Sequence, residues 1–198
     1  MTSLLPYDEI NAFRRLLEEE TEVDEHGHRR WKRRDLQEYL EELDELIYTL
    51  MLLSYSRGNE IACQELGETI QVDLDQLQAA LAKQYDGKDI WDRVSEYFQT
   101  EDIDALIRVV ETETHRMYNT AIFDAGNSIR LPINKTWATM LDDRVRETHW
   151  YLEGVTVPFE EWFYTNDGDS ARYPGDFSLA QNNVNCRCEL LLTPRQSA

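Results

Sequence analysis

The sequence predicts an α+β fold: a helical region over residues 1–125, followed by a small α+β domain over residues 126–198. Three observations carry that expectation. Apolar residues recur at helical spacing through about the first 120 residues. From Ile129 onward the pattern breaks into short runs punctuated by Pro and Gly. The chain has 198 residues, 41% of them apolar, with five tryptophans, which suffices for one core with a helical annex.

Residues 7–20 form an amphipathic segment with Ile10, Phe13, Leu16 and Leu17 on one side. The strongest helix is DLQEYLEELDELIYTLMLLSYSRG, in which Leu36, Leu40, Leu43, Ile47 and Leu50 alternate at spacings of four and three. That is the pattern of a helix laid along another helix. Asp35 is placed to cap its start, and Gly58 lies where a C′ glycine belongs. Helices are expected next around residues 59–67 and 73–85, the latter capped by Asp73. Two more follow at 87–99 and 101–125, carrying Ile90, Val94 and Phe98, then Ile103, Leu106, Ile107 and Val110. The count is five or six helices with short joints, and there is no internal repeat. Beyond Gly126 come IRLPINKTWATM, a helix-like DDRVRETHWYLEG, VTVPF, EEWFYT, a polar loop and the closing run VNCRCELLL.

Charge narrows the function classes. Thirty-nine acidic residues face twenty basic ones, a formal net charge of −19, and only Lys32, Lys83, Lys88 and Lys135 are lysines. Self-repulsion of this size is tolerable where salt is high, since the Debye length falls to about 3 Å at 1 M. A protein working in concentrated salt is the expectation, with a cationic partner as the alternative. Such acidity argues against nucleic acid, whose phosphates need Lys and Arg. One segment departs from that rule: Arg29, Arg30, Lys32, Arg33 and Arg34 surround Trp31, as in a site contacting DNA or an acidic partner. The plainer reading is that this segment neutralises the acidic run at residues 18–25. No stretch approaches the roughly 18 apolar residues of a membrane span, so no membrane association is expected. The N-terminus lacks the features of a secretory signal. No hydrolytic triad, phosphate loop or dinucleotide fingerprint occurs. Paired acids such as Asp142/Asp143 and Glu160/Glu161 are too common in this chain to mark an acid–base pair.

The chemistry-bearing residues cluster late. In a helix over DDRVRETHWYLEG, Leu141, Val145, His149 and Leu152 share one face, so His149 points toward the core, where both ring nitrogens need partners. In a strand over VNCRCELLL, Cys186, Cys188 and Leu190 share one face, and Arg187, Glu189 and Leu191 the other. A Cys186–Cys188 disulfide is disfavoured, because two residues of strand span about 6.6 Å. Free cysteine is among the most buried residue types, so a structural, metal-free role and no cofactor are expected. Zinc held by Cys186, Cys188 and His149 is the alternative, with His115 or Asp143 as the only candidates for a fourth ligand. A catalytic thiol is a third reading.

In order along the chain come KTWATM, DRVRETH, LEG, PFEEWF, PGD and NCRC. This succession resembles the phage Mu F-like minor head proteins of tailed viruses, and Thr112, Glu113 and Asn119 match residues that precede it. The matching positions are Lys135, Trp137, Asp143, Arg144, Arg146, His149, Gly154, Asn185, Cys186, Arg187 and Cys188. The resemblance implies a virion component inside the head near the portal vertex, made in the host cytoplasm and acting in head assembly, DNA packaging or genome ejection. It implies the portal protein as partner, with several copies around the portal, and the major capsid protein and packaged DNA as further contacts. It carries over no active site, so no enzyme is expected. A metal- or thiol-dependent virion enzyme and a DNA-binding module remain as alternatives. Some relatives carry fused toxin domains, and none is expected here. The acidity joined to the resemblance points to a virus of a haloarchaeal host.

Overall fold

The computed structural model describes residues 7–33 and 35–195. Helix α1 (Tyr7–Glu19) leads into a hairpin of β1 (Thr21–Val23) and β2 (Arg29–Trp31). Helices α2 (Leu36–Leu66), α3 (Leu74–Leu81), α4 (Ile90–Gln99) and α5 (Ile103–Ser128) follow. The C-terminal part is built from β3 (Ile133–Ala138), α6 (Glu147–Trp150), β4 (Thr156–Pro158), β5 (Phe163–Tyr164), β6 (Ser170–Ala171), α7 (Ala180–Asn183) and β7 (Glu189–Pro194). The α+β class is as expected, with a mainly helical N-terminal part, interrupted by the β1–β2 hairpin, and most strands in the C-terminal part. No helix among the described residues is long and apolar enough to cross a membrane.

Aspartates start the four helices α2 to α5. Asp35, Asp73, Asp89 and Asp102 each accept a backbone N–H from the first turn that follows, which satisfies donors a helix leaves unpaired. Two sequence expectations change along α2. Leu36 is exposed, and the buried stripe starts at Tyr39 and continues through Leu43, Ile47, Leu50, Ser54, Gly58, Ala62 and Leu66. Gly58 therefore does not end the helix, and the segment at 59–67 is its continuation. Gly58 is instead a crossing point, where an added Cβ would stand 2.1 Å from the Tyr118 carbonyl oxygen of α5. The helix stops at Gly67, whose left-handed backbone (φ 67°) carries its N–H back to the Cys63 carbonyl.

Helix α5 is buried nearly all round through its middle, from Glu113 to Phe123, because α2, α3, α4 and β7 surround it. Its first half joins α1, the hairpin, α2 and α4 in one core that holds Phe13, Leu17, Trp31, Ile47, Val94 and Phe98. Its second half and the end of α2 share another core with Trp137, Phe163, Phe177, Leu190 and Leu192. The change of composition near Gly126 thus falls inside a helix that serves both cores. Gly126 lets Phe159 approach, since a Cβ there would meet the ring at 2.4 Å.

The C-terminal sheet is antiparallel in the order β4–β3–β7, with Trp137 opposite Leu190 and Ala138 opposite Glu189. Alternation along β3 turns Ile133, Lys135 and Trp137 inward.

The segment read as one helix over residues 142–154 is mostly turns. Leu141 adopts φ 54° and is 77% exposed, and only Glu147–Trp150 is helical. Asp142 accepts the backbone N–H of Arg144, a local turn that competes with helix formation. Val145, His149 and Leu152 are buried all the same, carried inward by successive turns.

The basic segment is also reassigned. Trp31 is only 7% exposed, stacks on Phe98 and donates its indole N–H to the Phe98 carbonyl, so it offers no face to a base. Arg30 pairs with Glu101, and Arg33 with Glu20 and Glu42. Arg29 donates to Thr21 Oγ1, and Lys32 to the Glu19 carbonyl. Arg34 lies outside the described residues. The cluster closes a hairpin over an acidic neighbourhood, which favours the neutralising role over a nucleic-acid contact.

Candidate functional site

Strand β7 begins at Glu189, so Cys186 and Cys188 sit in the approach to it rather than within it. Asn185 opens that approach in a left-handed conformation (φ 57°), which asparagine tolerates better than most residues. Burial nevertheless alternates as the sequence suggested: Cys186, Cys188, Leu190 and Leu192 are inside, and Arg187, Glu189 and Leu191 are only partly covered. Asn119 of α5 takes the place of a neighbouring strand, donating from Nδ2 to the Cys188 carbonyl (3.2 Å) and accepting from the Leu190 N–H (2.8 Å). Thr112, about two turns earlier on the same face of α5, accepts the Asn185 N–H.

His149 meets the cysteines from the other side. Its Nδ1 lies 3.4 Å from Cys188 Sγ and 3.7 Å from Cys186 Sγ. The ring is 1% exposed, stacks on Phe177 and touches the edge of Trp137. Its Nε2 is buried without a hydrogen-bond partner among the described residues. None of the three cysteines forms a disulfide. The two buried sulfurs act as a pair: a hydrogen bond from the Cys188 thiol, aided by His149, drives Cys186 toward the thiolate despite its burial. The same hydrogen bond, with burial, holds Cys188 as the thiol. Burial also lowers the pKa of His115, which the neighbouring Cys186 only partly offsets.

Several of the remaining matched positions brace this centre, while Asp143 and Arg144 are exposed. Arg187 forks onto Asp142, which it holds near a pKa of about 2. Asp143, the aspartate singled out from sequence, is exposed; its neighbour Asp142 makes the contact, and a double Asp gave no means of choosing. Arg146 donates to the Val184 carbonyl, while the Arg144 side chain is exposed. Gly154 (φ 70°) turns the chain so that its N–H reaches the Trp137 carbonyl, which sets Trp137 against His149. Lys135 is fully buried, donates to the Arg172 carbonyl and lies over the rings of Phe123, Phe159 and Phe163; burial, then Arg172, lowers its pKa to about 8.

Two networks were not legible in the sequence as networks, although Glu113 was matched by resemblance. Glu113 pairs with both Arg93 and Arg116 in the interior; burial alone would raise its pKa, and the two guanidiniums hold it down. Asp169 accepts from Ser170, Ser178, Leu179 and Asn182 and so folds the polar loop onto α7. Its only cue was an Asp-Gly-Asp turn.

Chemically, the centre offers two sulfurs and an imidazole within 4.8 Å of one another. Neither His115 nor Asp143 joins them as a fourth ligand. A cavity of about 10 Å³ adjoins the three, lined also by Met140, Arg144 and Arg146. Outside it, a cleft of about 620 Å³ between α1 and the Asn185–Arg187 turn is lined by Arg14, His115, Arg144 and Cys186.

The model of the family described as "Phage Mu protein F like protein" matches residues 71–191. The chain is 33% identical over 85 residues to "NAD(+)--arginine ADP-ribosyltransferase EFV" of Enterococcus faecalis (strain ATCC 700802 / V583), covering 41% of this chain and 17% of that protein. It is 30% identical over 82 residues to "Minor head protein GP7" of Bacillus phage SPP1, covering 40% of this chain and 27% of that protein. The matched parts therefore span under a third of either curated relative. No solved structure matches the chain.

Proposed function

Because the chain belongs to the Phage Mu protein F like family, we propose that it is a minor structural protein of a tailed-virus head, bound inside the head at the portal vertex. The observation that carries this reading is the family match over residues 71–191, joined by the likeness to a phage minor head protein. The portal protein is the main partner of this reading, with several copies of the chain around the portal. The major capsid protein and packaged DNA are secondary contacts, and the roles are head assembly, DNA packaging or genome ejection. The chain is assembled in the host cytoplasm and carried in the virion. The net charge of −19 fits a virus that assembles in concentrated salt, as in a haloarchaeal host.

A transferase reading draws no support from the Enterococcus faecalis relative, because the match covers 17% of that protein. A DNA-binding reading of residues 29–34 loses its basis with Trp31 buried and Arg30 and Arg33 paired to glutamates.

The test is an averaged map of the portal vertex in purified heads, with mass spectrometry of the same particles. Density for this fold against the inner portal, at one copy per portal subunit or fewer, is expected. Absence of the chain from purified heads, or its presence only on the outer capsid surface, would overturn the reading.

A further inference from the structure

We propose that Cys186, Cys188 and His149 form a zinc site with three protein ligands and a fourth position open to a single small ligand. The first argument is convergence. His149 arrives from α6 and the cysteines from the approach to β7, yet their donor atoms lie within 4.8 Å of one another, all buried. Two sulfurs and an imidazole are the donor set that borderline-soft zinc selects over calcium or magnesium.

The second argument is metric. With zinc–sulfur bonds near 2.3 Å and zinc–nitrogen bonds near 2.0–2.1 Å, a tetrahedron places sulfur and nitrogen about 3.5–3.6 Å apart. The observed separations of 3.4 and 3.7 Å bracket that value. Both nitrogen–sulfur edges thus already have the length a zinc tetrahedron requires.

The third argument is space. The cavity beside the three donors holds about 10 Å³, close to the room one water molecule needs. His115 and Asp143 stay outside the group, so the fourth position belongs to a water or another one-atom donor. The Asn119 clamp on Cys188 and Leu190 and the Arg187–Asp142 fork hold the cysteine segment in this geometry. Such outer contacts are what a metal site needs to fix its ligands.

The experiment uses the full chain, purified with its thiols reduced, loaded with zinc and dialysed against metal-free buffer. Elemental analysis should find one zinc per chain. Cobalt substitution should give sulfur-to-cobalt charge-transfer absorption at the intensity of two thiolates, with tetrahedral visible bands. Cys188→Ser and His149→Gln should each lower retained zinc at least about tenfold, whereas Cys63→Ala, remote from the site, should retain it. Absence of retained zinc in the wild-type chain with all three thiols reduced would overturn the proposal, and that outcome does not depend on any variant folding. Retained zinc that Cys63→Ala abolishes would overturn it as well.

Discussion

Arg187 grips Asp142 through two parallel hydrogen bonds, Nη1 to Oδ2 at 2.8 Å and Nη2 to Oδ1 at 2.6 Å. The contact joins two segments 45 residues apart and fixes the turn that presents both buried cysteines. A guanidinium fork matches a carboxylate in a way that one ammonium does not. Arg187→Lys should therefore loosen the Asn185–Cys188 segment while leaving the rest of the fold in place. Alkylation of Cys186 and Cys188 in metal-free, reduced protein should become several-fold faster, with unchanged helical circular dichroism. The carboxyl of Asp142 is held from its ordinary 3.8 down to about 2, first by the Arg187 hydrogen bond. The contact is thus complete above about 3.8 and is lost as pH falls through about 2. Unchanged thiol reactivity in the lysine variant would remove the fork from the account.

Gly58 tests the crossing of α2 and α5. Alanine is favoured over glycine by about 1 kcal/mol inside a helix, so propensity alone predicts a more stable Gly58→Ala protein. The added Cβ would, however, stand 2.1 Å from the backbone carbonyl of Tyr118, which has no flexible end to yield. Overpacking of this kind costs about 1–3 kcal/mol. The prediction is net destabilisation, read as a lower urea midpoint with an unchanged slope. A midpoint that rises would mean that the helices separate freely.

Glu113 and Arg116 are both buried, and Arg116 also reaches the Ala80 carbonyl, so the pair ties α3 to α5. Removing one partner strands the other's charge in the interior, a loss of roughly 3–5 kcal/mol. Glu113→Gln should show that loss in chemical unfolding. The triple variant Arg93→Met/Glu113→Leu/Arg116→Met, which removes both guanidiniums paired with Glu113, should be markedly more stable than Glu113→Gln, since apolar replacement of a whole buried ion group is often neutral.

These tests fall on features that were unequally legible in the sequence. The helices with strong period and aspartate caps were plain, because capping and amphipathicity are local. Gly58 misled for the same reason: a glycine after an amphipathic stripe signals an end locally, and only α5 explains it as a contact. The helix expected through Leu141 failed because the Asp142 carboxylate accepts the Arg144 backbone N–H, a competition that periodicity does not see. Inward-facing Cys186, Cys188 and His149 were readable from alternation, since burial follows period even where the regular element is short. Their convergence was readable only as one alternative, the zinc ligand set, because it depends on Gly154, Trp137 and Asn119, each acting over a long separation.

Glu65 supplies a pH dependence. It lies near the end of α2, accepts the Leu192 N–H and is pushed up to about 7, chiefly by burial, with Glu189 adding to the rise. A carboxyl raised in the folded state favours folding most when protonated. Its contribution is complete below the ordinary 4.5 and is lost as pH rises to about 7, above which this group changes nothing further. Glu65→Gln keeps an acceptor for Leu192 but cannot ionise. It should be more stable than the wild type at about pH 8, by roughly 1–3 kcal/mol, with the difference vanishing near pH 4. Equal stability at both pH values would show that Glu65 is well solvated.

Salt tests the meaning of the charge. Two effects oppose each other as ionic strength rises. Surface ion pairs such as Arg14–Glu111 and Arg57–Glu9 are weakened by screening, but each is worth only about 0–1 kcal/mol. Against them stands the mutual repulsion of a chain with 19 excess negative charges, which relaxes as the Debye length shrinks from about 10 Å at 0.1 M to about 3 Å at 1 M. Repulsion acts among many more pairs than the bridges number, so stability should rise with salt and fall away below about 0.5 M. Exposed acids such as Glu18, Glu22 and Asp104 make no ion pair among the described residues. Replacing these three by their amides should flatten the dependence of the thermal midpoint on sodium chloride and raise the midpoint in dilute buffer. A wild-type midpoint that stays flat, or falls, between about 0.1 and 2 M salt would remove the high-salt setting from the proposed function.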